Sequence, residues 1–286
     1  MTPLAISVFI TDTGLLPEGA GLELLDEKRR ARYERLRSAE AKAQCLAGGL
    51  MLRSVLGEGL LGAVTEDGHG KPQLPGGGLH FNLSHSGSAV VLAVAAAPVG
   101  IDIEEVRAVR PALIRRTLTA HESGLFTAAN AGERAFFALW TAKESIMKAD
   151  GRGISMDPAR IDVLGPDGSI LPPESDAAPS AADTAAPACD ATVVSADSAV
   201  RFAAAGSAAD TAAPSSALHY SDIVASPAPR VRLSQEPVHR FYLCAYTLPE
   251  RPEYVGCIAC TVPVTPEFHF LTPRRLLMPR TEGTIE

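Results

Sequence analysis

Apolar residues recur along the chain with two periods, and these divide it into short strands and amphipathic helices. Ala5–Ile10 alternates as a strand does. Glu23–Leu36 and Ala39–Leu56 read as helices, the first strongly basic through Lys28, Arg29, Arg30, Arg32, Arg35 and Arg37. Three apolar runs follow, Leu79–Leu83, Ala89–Ala95 and Val99–Glu104, separated by Ser-His-Ser-Gly-Ser and Ala-Ala-Pro, which predicts an antiparallel meander. Pro111–Leu118 and Glu133–Lys148 read as helices, the latter through Phe136, Phe137, Trp140 and Met147. Arg160–Leu164 and Arg240–Thr247 are expected to pair with each other. Val255–Val262 is expected to be the last strand, leaving a tail rich in Pro and Arg from Pro263.

Composition changes this picture in one place. Of the 59 residues from 172 to 230, 20 are Ala and 7 are Pro, and Phe202 and Tyr220 are the aromatics. The prolines interrupt any long helix, and too little large apolar surface is present to offset the entropy of ordering, so the segment reads as a disordered insertion. It also holds seven acids against Arg201 and Arg230, which accounts for −5 of the net charge of −7. The remainder is almost neutral, which argues against a protein that coats nucleic acid.

Five cysteines in 286 residues are too sparse and too odd in number for a disulfide scaffold, so a reducing compartment is expected. The lone Cys257-Ile258-Ala259-Cys260 would put its thiols on opposite faces of a strand, as core residues and not as a zinc site. Met1–Ile10 has no Lys or Arg before its apolar stretch and does not read as a signal peptide. The longest apolar run, 13 residues from Ala89 to Ile101, falls short of the ~20 a membrane span needs. A cytoplasmic protein is the expectation.

Three constellations could carry chemistry. In Gly100-Ile101-Asp102-Ile103-Glu104 the two carboxylates share one strand face while Ile101 and Ile103 share the other. Such a pair suits a solvated edge or a hard cation such as Mg²⁺ or Mn²⁺. Glu144 and Lys148, at i and i+4, can face one cleft or form an ordinary helix-surface ion pair, with Gly151 and Gly153 ending the helix. Phe81-Asn82-Leu83-Ser84-His85-Ser86-Gly87, preceded by Gly70-Lys71-Pro72, offers a hydroxyl, an imidazole and an ammonium to a phosphate; the plain alternative is a polar hairpin turn. A Ser-His nucleophile is disfavoured, because neighbouring strand residues point apart and no Gly-x-Ser-x-Gly elbow exists.

Taken in order, Gly70-Lys71-Pro72, Phe81-Asn82-x-Ser84-His85-Ser86-Gly87, Gly100-Ile101-Asp102-Ile103-Glu104 and Trp140-x-x-Lys143-Glu144-Ser145-x-x-Lys148-x-x-Gly151-x-Gly153 resemble the 4′-phosphopantetheinyl transferases of the larger, monomeric class. The resemblance runs from about Glu27 to Leu164 and resumes near Arg240–Cys260. It implies an α+β pseudo-dimer of two similar halves with coenzyme A bound at the seam. A faint likeness between the segments starting at Arg35 and at Thr117 points the same way. The expected halves are 1–100, and 101–171 with 231–262, with 172–230 as the insertion and 263–286 as the tail.

Carried over to this sequence, the resemblance implies Mg²⁺ held by Asp102, Glu104 and Glu144, and coenzyme A contacted by Lys28, Arg53, Lys71, Ser84, His85 and Lys148. Ser84 and His85 would take the 3′-phosphate region, and Glu144 and Lys148 would be catalytic. Gln44-Cys45 stands where some members have Arg-Thr, and Ala31 or Arg32 where some have a Lys. The implied partners are apo acyl or peptidyl carrier proteins, with Arg107, Arg110, Leu113 and Arg115 as docking candidates; neither nucleic acid nor membrane is implied, and a monomer is expected. Two rivals are a Mg²⁺-dependent enzyme acting on another nucleotide pyrophosphate and a non-catalytic interaction protein.

Overall fold

The computed structural model describes residues 3–164, 225–232, 240–248 and 250–278. The elements are β1 (Leu4–Asp12), α1 (Glu27–Arg35), α2 (Ala39–Gly62), β2 (Thr65–Glu66), β3 (Pro72–Gln73), β4 (His80–Ser86), β5 (Ala89–Ala95), β6 (Val99–Glu105), α3 (Pro111–Thr117), α4 (Ala120–Ala128) and α5 (Glu133–Asp150). They continue with β7 (Ala225–Arg232), β8 (Arg240–Leu248), β9 (Arg251–Cys260), β10 (Val264–Phe270) and α6 (Pro273–Leu277). Two four-stranded sheets result, ordered β10-β1-β5-β4 and β6-β9-β8-β7.

Alternation along the strands builds four layers. Ile6, Val8 and Ile10 of β1 and Val91 and Ala93 of β5 meet Ile101 and Ile103 of β6 and Ile258 and Cys260 of β9 in one buried cluster between the sheets. On the outer face of the first sheet, Val90 and Leu92 pack on Leu46, Ala47, Leu50 and Met51 of α2. On the outer face of the second, Cys257 and Ala259 pack on Phe136, Ala142 and Ile146 of α5. Cys257 and Cys260 therefore sit on opposite sides of their sheet, and burial pushes the Cys257 thiol up to about 12. Helix α2 is long and apolar enough by composition to cross a membrane, with mean hydropathy 1.2 over its most apolar stretch. Leu46, Leu50, Met51, Leu52 and Leu56 are instead buried in the cluster it forms with the first sheet.

Several expectations are corrected. Val99–Glu104 does not complete a meander: β4 and β5 form a hairpin, but β6 leaves them and pairs antiparallel with β9. Among the described residues Arg160–Leu164 forms no strand beside β8, which pairs with β7 and β9: Arg160 ends a 3-10 turn and Leu164 makes an isolated bridge. The segment 225–230, expected within the disordered insertion, belongs to β7; residues 172–224 lie outside the described residues. Residues 264–277, expected as tail, form β10 and α6, and β10 pairs parallel with β1, so the chain closes back on the first sheet. Helix α4, started by a Thr119–Glu122 capping box, was not anticipated.

Candidate functional site

The site lies where β4, β6 and α5 meet. Asp102 and Glu104 share a face of β6, as the period of two requires, while Ile101 and Ile103 are buried between the sheets. That polar face is matched, residue for residue, by β4 of the other sheet. The Ile101 amide donates to Asn82 Oδ1 (2.9 Å), Ser84 Oγ donates to Asp102 Oδ1 (2.7 Å) and Ser86 Oγ donates to Glu104 Oε2 (2.7 Å). Three alternate residues of β4 thus form side-chain rungs to β6, although the two strands belong to different sheets.

Helix α5 supplies the second wall. Gly100 makes this possible, because any side chain there would meet the backbone of α5. The helix ends at Gly151, whose φ of +98° is the left-handed geometry of a helix stop. Lys148, in the last turn, reaches across to Asp102 Oδ1 (2.6 Å), Ser84 Oγ (2.9 Å) and the Ile101 carbonyl (3.2 Å). It pairs with Asp102 rather than with Glu144, which the i, i+4 spacing had offered as the alternative. Lys71 reaches the same helix end, donating to the Ala149 carbonyl at 3.1 Å.

Charge at the site is only partly compensated. Burial raises the Asp102 carboxyl above its usual range despite Lys148 and Ser84. Burial also raises Glu144, opposed by Lys148 and reinforced by Asp102 and Glu104. Among the described residues, Asp102 Oδ2 is buried with no hydrogen-bond partner. Glu104 is better served, by Ser86, by Arg107 Nη1 (2.9 Å) and by Trp140 Nε1 (3.3 Å). An orphaned carboxylate oxygen with two further carboxylates in electrostatic reach is a donor set that fits a hard divalent cation. Among the described residues no three Asp, Glu, His or Cys side chains already stand close enough to hold an ion, so these ligands have still to close on it.

The remaining candidates are spread more widely. His85 points away from its neighbours Ser84 and Ser86 and is exposed; burial of part of the ring, with Lys148 and Arg32 nearby, lowers its pKa. Lys28 is largely exposed and ion-paired with Glu66. Arg53 is engaged by Glu58, through Nε (3.1 Å) and Nη2 (2.8 Å), and not by the carboxylates of the site. Gln44 donates to the Gly87 carbonyl (2.8 Å), bracing the β4–β5 turn, while Cys45 lies against the Arg29 carbonyl. A hollow of about 220 Å³ lined by Thr13, Leu16, Tyr33, Lys42 and Leu46 shares no residue with the carboxylate site.

Three residues that the sequence reading left without a role, Tyr246, Ser86 and Trp140, complete the arrangement, together with Arg107, which it had offered for carrier docking. Tyr246, buried, donates its hydroxyl to the Asp102 carbonyl at 3.0 Å and so fixes β6 from behind. Ser86, Trp140 and Arg107 hold Glu104. Ser86 and Trp140 were visible inside the motifs, but their pairing with Glu104 was not, because Ser86 lies on the other sheet and Trp140 on the helix packed over β6.

Residues 98–185 match the model of the 4′-phosphopantetheinyl transferase superfamily. The chain is similar to the 4′-phosphopantetheinyl transferase psf-1 of Bacillus pumilus, 39% identical over 138 residues, which are 45% of this chain and 58% of that protein. It is 30% identical over 144 residues to 4′-phosphopantetheinyl transferase Sfp of Bacillus subtilis strain 168, covering 47% of this chain and 64% of that one. With 4′-phosphopantetheinyl transferase HetI of Nostoc sp. strain PCC 7120 it shares 34% identity over 146 residues, 46% and 61% of the two chains. Each match spans less than two thirds of the relative's length.

Proposed function

We propose that this chain is a 4′-phosphopantetheinyl transferase, as its likeness to that superfamily suggests, and that it moves the phosphopantetheine group of coenzyme A onto a serine of an apo acyl or peptidyl carrier protein and releases adenosine 3′,5′-bisphosphate. The observation that supports this reading is the buried, unpartnered Asp102 oxygen, with Glu104 and Glu144 in electrostatic reach and Lys148 bonded to the other oxygen of the same carboxylate. The reaction class is that of the relatives, which are 4′-phosphopantetheinyl transferases.

The three carboxylates are the residues that would hold Mg²⁺, which when bound would neutralise charge on the pyrophosphate of coenzyme A. Glu144, whose pKa is raised by burial, is suited to take the proton from the attacking serine hydroxyl. Lys148, aimed into the site from the last turn of α5, would meet the charge that grows on the phosphate oxygens. Lys71, held against the end of α5, and His85, with Lys28 and Arg53 further out, would contact coenzyme A, bound at the seam of two structurally similar halves.

The carrier would approach over α3, where Arg110 precedes Leu113, 42% exposed, and Arg115 and Arg116 follow in the last turn. A basic surface around an exposed leucine suits an acidic helix. Arg107 is less free to join them, since it is tied to Glu104 and lies over the Phe137 ring. The reading takes the protein as a monomer of the cytoplasm.

Intact-mass measurement of apo carrier proteins incubated with the protein, coenzyme A and Mg²⁺ tests this reading. A chelator-sensitive gain of one phosphopantetheine is expected. Release of adenosine bisphosphate without any carrier would overturn it in favour of a pyrophosphate hydrolase.

A further inference from the structure

We propose that Ser84 is a positioning residue for Asp102 and not a ligand of the 3′-phosphate: together with Lys148 it saturates Oδ1, leaving Oδ2 as the oxygen turned toward a divalent cation. The inference rests on the cation part of the reading above.

Hydrogen-bond bookkeeping leads to it. A lysine ammonium has donors only, and an ionised carboxylate has acceptors only. Lys148 Nζ is 2.9 Å from Ser84 Oγ, so Ser84 accepts there. Ser84 Oγ is 2.7 Å from Asp102 Oδ1, so its single proton is given to that oxygen. A hydroxyl so engaged has no proton left for a phosphate oxygen, which needs donors.

Ser84 is 6% exposed and Asp102 4% exposed, so water offers little competition for either. Oδ1 receives both Ser84 Oγ and, at 2.6 Å, Lys148 Nζ. Oδ2 receives nothing among the described residues. Two donors on one oxygen and none on its twin fix the plane and rotation of the carboxylate.

The next rung repeats the design. Ser86 gives its proton to Glu104 Oε2 at 2.7 Å and accepts from the Glu105 amide at 3.1 Å. Two serines at alternate positions of β4 thus orient two carboxylates at alternate positions of β6. His85, on the opposite face of β4, is left as the residue of this motif open to a ligand.

The test separates affinity for metal from affinity for coenzyme A. Mn²⁺ binding to the full chain in the presence of coenzyme A is read by the electron paramagnetic resonance of free Mn²⁺, and coenzyme A binding in EDTA by calorimetry. Ser84→Ala should weaken Mn²⁺ ~10-fold or more while coenzyme A affinity in EDTA stays within about twofold. Ser84→Thr, which keeps the hydroxyl, should recover most of the Mn²⁺ affinity, and melting curves establish that each variant is folded. Unchanged Mn²⁺ affinity with weaker coenzyme A binding would overturn the proposal and make Ser84 a phosphate ligand. A wild-type chain that takes up no Mn²⁺ would overturn the cation reading itself, which is a different outcome from a wild type and variant that bind it equally.

Discussion

Gly100 lies so close beneath Ser145 that a Cβ added there would stand 2.0 Å from the Ser145 carbonyl oxygen and 2.5 Å from the Ala149 amide nitrogen. This contact sets the height of α5 above β6, and hence the reach of Lys148 to Asp102. Both clashing atoms are backbone, so neither can rotate away. Gly100→Ala should cost about 3 kcal/mol, at the upper end for overpacking. A urea midpoint measures this, and turnover should fall further than stability because the whole helix shifts relative to the carboxylates. A fully stable, fully active variant would show that α5 is free to slide.

Glu144 has a different profile. It is half-buried, its carboxyl is raised by burial and by Asp102 and Glu104, and Lys148 favours Asp102 over it. Removing its charge relieves repulsion, so Glu144→Gln should leave the melting temperature unchanged or slightly higher. Turnover should fall by ~100-fold to ~10,000-fold, the range for loss of an acid–base group. Near-normal turnover in a steady-state assay would remove Glu144 from the chemistry.

The parts of this architecture that local pattern can encode were legible. Asp102 and Glu104 were placed together by the strand period, and Glu144 and Lys148 by the helix period. Their joining was not legible from period alone, because it depends on β6 changing sheets and pairing with a strand about 150 residues later. The ordinary tendency of sequential strands to pair predicts a meander there. Proline misled the reading of two further strands. Pro227 and Pro229 counted as helix breakers within an insertion and 263–286 as a tail rich in Pro and Arg, yet β7 and β10 lie at sheet edges, where a missing amide donor is tolerated. The period of two in Val264, Phe268 and Phe270 went unused.

Lys143 stands beside Glu144 in the sequence but faces the opposite way, into the protein. Its ammonium is fully buried and pairs with the equally buried Glu122, and donates to the Thr117 carbonyl (2.8 Å) and the Pro158 carbonyl (3.0 Å). Glu122 in turn accepts from the amides of Thr119 (2.9 Å) and Val163 (3.0 Å). One ion pair therefore joins α3, α4, α5 and the 158–163 segment. Burial lowers the Lys143 pKa, and Glu122 opposes that shift. Lys143→Met would leave Glu122 charged and unpaired in the core, costing about 3–5 kcal/mol. Chemical denaturation measures the loss; a change below 1 kcal/mol, small beside the usual penalty for breaking a buried pair, would mean that water reaches this site.

The chain between residues 164 and 225 should be removable only within limits that the structure sets. On one side Val163 is fully buried and its amide is held by Glu122, so the anchor extends at least to that residue. On the other, β7 pairs with β8 through Ala225–Pro227 and Arg230–Arg232, so the second anchor begins at Ala225. Shortening a long connection changes closure entropy only slowly, by about 0.6 kcal/mol for each halving of its length. Deleting 172–224, with 165–171 kept as the connector, should therefore leave the melting temperature and carrier modification close to those of the full chain. Extending the deletion through 232 strips β8 of its partner and exposes an unpaired strand edge beside buried Phe241 and Leu243. That longer deletion should aggregate or melt well below the parent. If the shorter deletion loses carrier modification while remaining folded and still binding coenzyme A, the Ala- and Pro-rich segment takes part in carrier recognition, and its reading as a plain insertion fails.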